Sequence, residues 1–163
     1  MGEKSSVLQK IRSVADYQFG KGVGERLFPG DVEVVFSQRT RRIRYIYLGG
    51  KRLVTLRPTD GMFSLTVAGA KRILNGTEHP RLWVKVSNDA APFVAKGKSV
   101  FAKHVVDADE EIRPQEEVVV LDERDQVLAV GRAVLTGAEM EQFKCGMAVR
   151  VRRGASEEVK NSR

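Results

Sequence analysis

Hydrophobic spacing divides the first half of the chain into a helix, a set of strands and a second helix. Ser5 or Ser6 is a suitable N-cap for a first helix, which is predicted by apolar residues at helical spacing: Val7, Leu8, Ile11, Val14 and Ala15. Alternating apolar positions then predict strands in 32–36 and 43–47, and Gly49-Gly50 is a two-residue hairpin turn into a third strand. A short fourth strand precedes a helix over 66–76. The order α-β-β-β-β-α predicts a small α+β domain with an antiparallel sheet.

The second half consists mainly of short strands separated by turn signals. The expected strands are RLWVKVS, SVFAKHVV, EEVVVLD, QVLAVGRAVLT and MAVRVRR, with a helical turn in DAAPFVAKG and a helix in GAEMEQFKC. Such regular short strands are typical of a compact barrel. Asn75-Gly76 and Pro80 mark a boundary between the halves. We therefore predict an α+β domain over 1–78, a mostly-β barrel over 79–154 and a disordered tail over 155–163.

Charge is distributed unevenly between these two domains. The chain has 163 residues, a net charge of +7 and a pI near 9.8. Residues 1–78 carry 14 Lys and Arg against 7 Asp and Glu, whereas residues 79–163 carry 14 of each. The excess favours a polyanionic partner, with nucleic acid ahead of an anionic membrane. No apolar run is long enough to span a membrane and the N-terminus has no signal core, so we expect a cytoplasmic protein.

Catalytic, metal and cofactor motifs are not found in the sequence. Cys145 is the only cysteine, and it is too far along the chain from His79 and His104 to suggest a zinc cluster; we expect it to be buried at a helix end. The carboxylates of 107–125 have no metal-ligand spacing and predict a solvated acidic face. The glycine-rich segment 20–30 matches no nucleotide-binding fingerprint and predicts a flexible link, with Lys21 as a weaker phosphate candidate. We expect no enzyme activity and no cofactor from the chain alone.

An arginine-rich hairpin is the main basic feature of the first domain. Arg39, Arg41, Arg42 and Arg44 fall within six residues, and a guanidinium donates two parallel hydrogen bonds to a phosphate. We predict that this hairpin contacts RNA phosphates. The following strand carries two tyrosines, 45 and 47, which would offer a stacking surface if they faced outward. Because they alternate in phase with Ile43, packing in the core is the expectation.

The segment AKGKSVFAKHVVDAD, residues 95–109, admits two interpretations. It is either a solvated strand over 99–106 with surface lysines, or a backbone turn and basic rim that receives a phosphate chain. Lys96 and Lys98 flank Gly97, and Lys103-His104 interrupts the apolar run. Glycine lacks a Cβ, so a sugar-phosphate chain can approach its backbone closely. The second domain is electroneutral as a whole, so these lysines stand apart from the acids that follow them.

The same segment resembles a signature of the PUA domain, an RNA-binding module. IRPQEEVVVLDERDQVLAVGRAVLTGAEM is similar to its second signature and GMAVRVRRG to its closing strand, so the resemblance covers about residues 80–154. Many PUA domains have Pro-Gly at Lys103-His104 and Gly-Asp at Gln115-Glu116. The first departure resembles the archaeosine tRNA-guanine transglycosylase branch of the family. Two stretches of the first half resemble the same enzyme, ADYQFGKGVGERLFP and RIRYIYLGGKRLVTLRPTDGMFSLTVAGAKRIL. The likeness is to the C-terminal part of that archaeal enzyme, without its catalytic barrel.

The resemblance implies an RNA-binding protein built from an α+β pre-PUA domain and a PUA pseudo-barrel. RNA, with tRNA favoured, would dock its duplex or acceptor-stem backbone at the PUA glycine segment, as an accessory to RNA modification. Two alternatives stay open, a non-catalytic subunit of a split transglycosylase or archaeosine-forming enzyme, and a ribosome- or translation-associated factor. The oligomeric state is not indicated. The implied second-domain RNA-binding residues are Lys96, Gly97, Lys98, Lys103, His104, Arg150 and Arg152.

Overall fold

The computed structural model describes residues 2–75 and 80–157, which form two compact units, Met1–Pro80 and Arg81–Arg163. The fold class predicted from the sequence is confirmed, with a helix-and-sheet unit followed by a nearly closed, mostly-β barrel with short helices. The predicted boundary, between residues 78 and 79, lies outside the described residues. Of the tail predicted over 155–163, residues 155–157 are helical and the others lie outside the described range.

The first unit is an antiparallel sheet with helices before and after it. Its strands pair in chain order, β1 to β4. The elements are α1 (Gly2–Phe19), α2 (Val23–Leu27), β1 (Glu33–Phe36), β2 (Ile43–Leu48), β3 (Lys51–Leu56), β4 (Phe63–Leu65) and α3 (Val67–Leu74). The prediction of a flexible link over 20–30 is wrong, because α2 lies within it. Gly22 precedes α2 with a φ of 88°, and a side chain at Gly24 would overlap the backbone of Arg12.

One face of this sheet lies against the core, and it is the face that carries Ile46. In the register of the strands, Ile46 stands between Val34 and Val54, and Val54 pairs with Leu65. Ile46, Val54 and Leu65 are all buried, as expected for one face of a pleated sheet. Gln18 of α1 ties its helix to this layer, because its side-chain amide donates to Phe63 O at 2.9 Å and accepts from Phe63 N at 2.8 Å.

The prediction that the two tyrosines of β2 pack in the core is therefore wrong. Tyr45 and Tyr47 alternate with the buried Ile46, so they project from the opposite face and are only partly buried. The error came from choosing Ile43 as the core-facing residue of the strand. Ile43 lies at the end of β2 and is itself only partly buried.

The second unit closes a six-stranded sheet nearly into a barrel. Its strand order is β6-β10-β9-β8-β5-β7. The elements are β5 (Trp83–Val86), α4 (Ala91–Ala95), β6 (Val100–Phe101), β7 (Val105–Ala108), β8 (Glu117–Leu121), β9 (Val127–Ala133), α5 (Gly137–Gln142) and β10 (Met147–Gly154). A three-residue 3₁₀ helix, Ala102–His104, joins β6 to β7, which are the two edge strands. The single strand expected over 99–106 is therefore two strands at opposite edges of the sheet.

Local chemistry explains where α5 begins and corrects one expectation about Cys145. Thr136 accepts a hydrogen bond from Glu139 N at 3.1 Å, and Glu139 Oε1 accepts from Thr136 N at 2.9 Å, so the two residues form a capping box. The helix ends at Gln142, three residues before Cys145. The prediction of a buried Cys145 is wrong, because the cysteine lies in the exposed turn before β10. Among residues 2–75 and 80–157, no helix has the length and apolar character needed to cross a membrane.

Candidate nucleic-acid interface

The Gly97 turn is the C-terminal cap of helix α4. Gly97 N donates to Val94 O at 2.9 Å and Lys98 N donates to Phe93 O at 3.1 Å. This pair of hydrogen bonds defines a Schellman motif, in which the residue after the C-cap adopts a left-handed conformation. Gly97 does so with a φ of 101°. A glycine is needed here for the backbone conformation itself, and the motif leaves Lys96 and Lys98 exposed on either side of it.

The end of strand β10 packs against this turn. Val151 N donates to Ser99 Oγ at 3.3 Å, and a side chain at Gly154 would overlap the carbonyl of Ala95. The segment after Gly154 then places Glu157 over Gly97, where a side chain on Gly97 would overlap its carboxylate. An acidic group therefore occupies the space beside the glycine that was predicted to admit a sugar-phosphate chain. The sequence offered no signal for this contact, because residues 97 and 157 are distant along the chain.

The second predicted basic pair is separated from the first by strand β6. Lys103 and His104 lie in the 3₁₀ helix, where Ala102 N donates to Gly146 O at 2.9 Å, at the start of β10 rather than its end. At a rise of about 3.3 Å per strand residue, this places Lys103 roughly 10 Å or more from Lys98. None of the ion pairs formed within the described residues includes Lys96, Lys98 or Lys103. The three lysines are exposed cations that precede and follow the edge strand β6.

The arginines of β10 have two different environments. Arg150 is exposed and stands directly opposite Arg132 of β9 in the strand register. Like charges in facing positions destabilise a sheet unless an anion lies near them. Arg152, in contrast, makes a two-pronged ion pair with the fully buried Glu117, with Nη1 at 2.8 Å from Oε1. Arg132, which was not among the predicted residues, stands between Arg150 and Glu117 in the register of β10, β9 and β8, and both arginines are exposed.

The arginine hairpin of the first unit is closed by backbone hydrogen bonds. Ser37 N donates to Arg42 O and Arg41 N donates to Ser37 O, both at 2.7 Å, with Arg41 in a left-handed conformation at φ 62°. Its arginines are all exposed. None of the ion pairs found within 2–75 and 80–157 includes a hairpin arginine, that is, Arg39, Arg41, Arg42 or Arg44.

Tyr45 connects this hairpin to the outer face of the sheet. Arg44 Nε donates to its hydroxyl at 3.3 Å, and the guanidinium carbons of Arg44 and Arg52 lie 5.5 and 5.4 Å from the ring centroid. The hydrogen bond from Arg44, reinforced by the positive charge of that residue, lowers the pKa of Tyr45 below its ordinary value. The ring of Tyr47 lies 6.3 Å away in an edge-to-face arrangement.

Exposed aromatic side chains accompany the basic edge of the barrel. Phe93, in α4, is 61% exposed, and Phe101, in β6, is 46% exposed. Phe93 supplies the carbonyl that accepts the Lys98 hydrogen bond, so an exposed ring and two lysines lie around the same turn. An aromatic ring that is solvent-exposed to this extent offers a face on which a nucleobase stacks. Neither phenylalanine was predicted as a contact residue, because both occur within apolar runs that predict burial.

Acidic residues of the second unit serve mainly local structural contacts. Asp125 accepts from Lys85 Nζ at 2.7 Å, and this hydrogen bond raises the pKa of Lys85. Asp109 Oδ2 accepts from Leu82 N at 2.7 Å, and Asp122 Oδ1 accepts from two backbone amides of the β8–β9 turn. Among the described residues, no group of three or more His, Cys, Asp and Glu is arranged to hold a metal ion. His79, which the sequence analysis had weighed and rejected as part of a zinc cluster, lies outside the described residues.

Comparison with protein families assigns a known domain to each unit. The model for the patch-forming domain C2 of tRNA-guanine transglycosylase matches residues 9–80, and the PUA domain model matches residues 82–155. Curated relatives include the tRNA-guanine(15) transglycosylases of Methanobrevibacter smithii, 43% identical over 90% of this chain, and Thermococcus onnurineus, 45% identical over 93%. The matched region is only 22% and 26% of those two proteins. The chain thus spans about a quarter of the length of these relatives and corresponds to their C-terminal portion.

Solved structures share the fold of both units. A hypothetical protein from Pyrococcus horikoshii matches with a TM-score of 0.75 and 24% identity, covering 95% of this chain and 93% of that one. A conserved PUA domain protein from Thermoplasma acidophilum matches with a TM-score of 0.68 and 23% identity, covering 98% and 95%. At this level of identity the likeness concerns the fold alone.

Proposed function

We propose that this chain, whose two units match the models of the C2 domain of tRNA-guanine transglycosylase and of the PUA domain, binds structured RNA. The favoured ligand is tRNA. The chain acts as a non-catalytic accessory to RNA modification in the cytoplasm. RNA lies along the basic edge of the barrel and is held by its backbone. A-form RNA is recognised mainly by shape and backbone contacts, so such a surface needs few base contacts.

The observation that carries this proposal is the set of exposed lysines at the capped end of α4. Lys96 and Lys98 project from a turn whose geometry is fixed by two backbone hydrogen bonds. Because these hydrogen bonds fix the backbone of the turn before binding, little backbone conformational entropy is lost when the lysines contact a phosphate. Phe93 offers a stacking surface beside the same turn, and Lys103 adds a positive charge after β6, next to His104.

Binding of the full chain to a tRNA transcript, measured against salt concentration, tests this proposal. A triple variant in which Lys96, Lys98 and Lys103 are all changed to alanine should bind tRNA more weakly. The slope of log K against log salt should also fall by about one unit for each phosphate that a lysine no longer neutralises. The matched control is Lys4, Lys10 and Lys51 changed to alanine, which removes equal charge from the first unit. The proposal fails if the two triple variants weaken binding equally, or if the unaltered chain does not bind tRNA above non-specific levels.

A second candidate function is a subunit of a split transglycosylase. It is favoured by the strong likeness to relatives four times as long, of which this chain matches only the C-terminal quarter. Such a subunit would deliver tRNA to a separate catalytic chain. Affinity purification of the tagged chain from its own cells, with and without ribonuclease, distinguishes the two functions. Recovery of a catalytic subunit after ribonuclease treatment supports the split enzyme, whereas recovery of RNA alone supports the independent accessory.

A further inference from the structure

The outer face of the first unit's sheet is an open surface with an aromatic centre. Across the strands, Tyr45 stands between Val35 and Thr55, and Tyr47 stands between Glu33 and Arg52. None of these six residues is buried, whereas Ile46, between the two tyrosines and on the opposite face, is fully buried. An antiparallel sheet with one face on the core usually presents polar residues on the other. Two adjacent tyrosines that stay partly exposed in its central strand are therefore an unusual feature of this face.

Positive charge surrounds these rings. The guanidinium groups of Arg44 and Arg52 both lie within 5.5 Å of the Tyr45 ring centroid. The hairpin that carries Arg39, Arg41 and Arg42 enters the same strand immediately before them. One acidic residue lies on this face beside the tyrosines: Glu33 of the edge strand β1, which is opposite Tyr47. The charge of the surface complements a polyanion, and it disfavours an apolar or basic protein surface as the occupant.

We propose that this outer face binds unpaired RNA nucleotides, whose bases stack on Tyr45 and Tyr47 while their phosphates meet the arginines of the preceding hairpin. The inference rests on the proposed RNA-binding function and adds to it a second site, of different specificity. A duplex hides its bases, so only a loop, a bulge or a single-stranded end can use the rings. Aromatic side chains on an open sheet face, flanked by cations, are the means by which such strands are held.

The test compares a dye-labelled single-stranded octauridylate with a blunt RNA duplex of similar length, by fluorescence anisotropy with the full chain. Tyr45→Ala with Tyr47→Ala should weaken octauridylate binding by at least about ten-fold, because each stacked base contributes about 1–3 kcal/mol. Duplex affinity should change less than two-fold. Tyr45→Phe with Tyr47→Phe keeps both rings and should retain octauridylate binding. Tyr17→Ala, at an exposed tyrosine of helix α1, is the matched control and should have no effect.

Five outcomes would overturn the proposal. Equal losses for octauridylate and duplex mean that the tyrosines do not select unpaired bases, and unchanged octauridylate binding means that they do not contact them. A change in sedimentation of the alanine variant would assign the face to a second copy of the chain. Photo-crosslinking of an iodouridine octamer to the unaltered chain avoids any folding defect, and crosslinks that map only outside Tyr45 and Tyr47 would also reject the site. If the unaltered chain binds tRNA but not octauridylate, this inference fails while the proposed function stands.

Discussion

Replacing Arg152 with alanine should destabilise the second unit far more than the same change at Arg150. The two arginines were predicted together as RNA ligands because they share a strand face. In the structure Arg152 holds both oxygens of Glu117, whose exposure is 0%, whereas Arg150 is exposed opposite Arg132. The first substitution removes the bidentate partner of a buried carboxylate. The second removes one member of a like-charged pair at the surface.

The size of the difference follows from burial. Removing one partner of a buried ion pair costs about 3–5 kcal/mol. The Arg152 side chain is 39% exposed, so water reaches its end of the pair, and we expect the lower end of the range or somewhat less, about 2–3 kcal/mol. In a domain of this size about 1 kcal/mol corresponds to roughly 4–8 °C, so the midpoint should fall by about 10–20 °C. Arg150→Ala should stay within about 0.5 kcal/mol of the unaltered protein.

The assay is thermal unfolding followed by tryptophan fluorescence. Trp83 is the only tryptophan of the chain and lies in β5, so its emission reports the second unit selectively. A midpoint for Arg152→Ala no lower than that for Arg150→Ala would refute the argument. A double variant, Glu117→Gln with Arg152→Ala, provides a further check. It removes the buried charge as well as its partner, and it should recover part of the stability that Arg152→Ala removes.

Three further predictions concern the RNA surface and its electrostatics. Glu157→Gln should tighten RNA binding about three- to ten-fold, because it removes a negative charge beside the Gly97 turn that is worth ~1 kcal/mol in water; unchanged affinity in filter binding would place the RNA elsewhere. Arg41, Arg42 and Arg44 changed together to alanine should flatten the salt dependence of RNA binding, and an unchanged slope would mean that the hairpin touches no phosphate. Arg44→Ala should raise the pKa of Tyr45 toward its ordinary value, measured by ultraviolet titration at alkaline pH, and a fall would contradict the assigned hydrogen bond.

Local sequence signals predicted most of the elements because each signal acts within a few residues. The Gly49-Gly50 turn joins β2 to β3 as expected, and both glycines have a positive φ. The strand phase of β2 was harder to predict, since Ile43, Tyr45 and Tyr47 form an apolar series that could line either face. The face that points to the core is set by the row of cross-strand neighbours that includes Ile46, and this row depends on the pairing of four strands. A pattern in one strand does not contain that information.

Contacts between residues distant along the chain account for the errors and omissions in the candidate site. Gly97 was recognised as a special position, and its φ of 101° explains why a glycine is needed. Its neighbour Glu157 and the pairing of Arg152 with Glu117 arise from the approach of segments 35 or more residues apart. The facing pair of Arg132 and Arg150 depends on the register of β9 against β10. These three features decide which cations are available to RNA, and only the fold reveals them.

The net charge of a domain is therefore a poor measure of its capacity to bind RNA. Several cations of the first unit serve the fold: Arg12 donates to Phe28 O at 2.8 Å, Arg72 donates to Arg26 O at 2.8 Å, and Arg57 pairs with Asp60 at 3.0 Å. These groups contribute to a charge count, but contacts within the fold hold their side chains in place. The hairpin arginines differ, since their side chains are exposed and make no ion pair with the described residues. The electroneutral second unit likewise presents Lys96, Lys98 and Lys103, which make no ion pair with any residue that the structure describes. The salt dependence of binding should thus follow the number of uncommitted cations in each unit rather than the net charge.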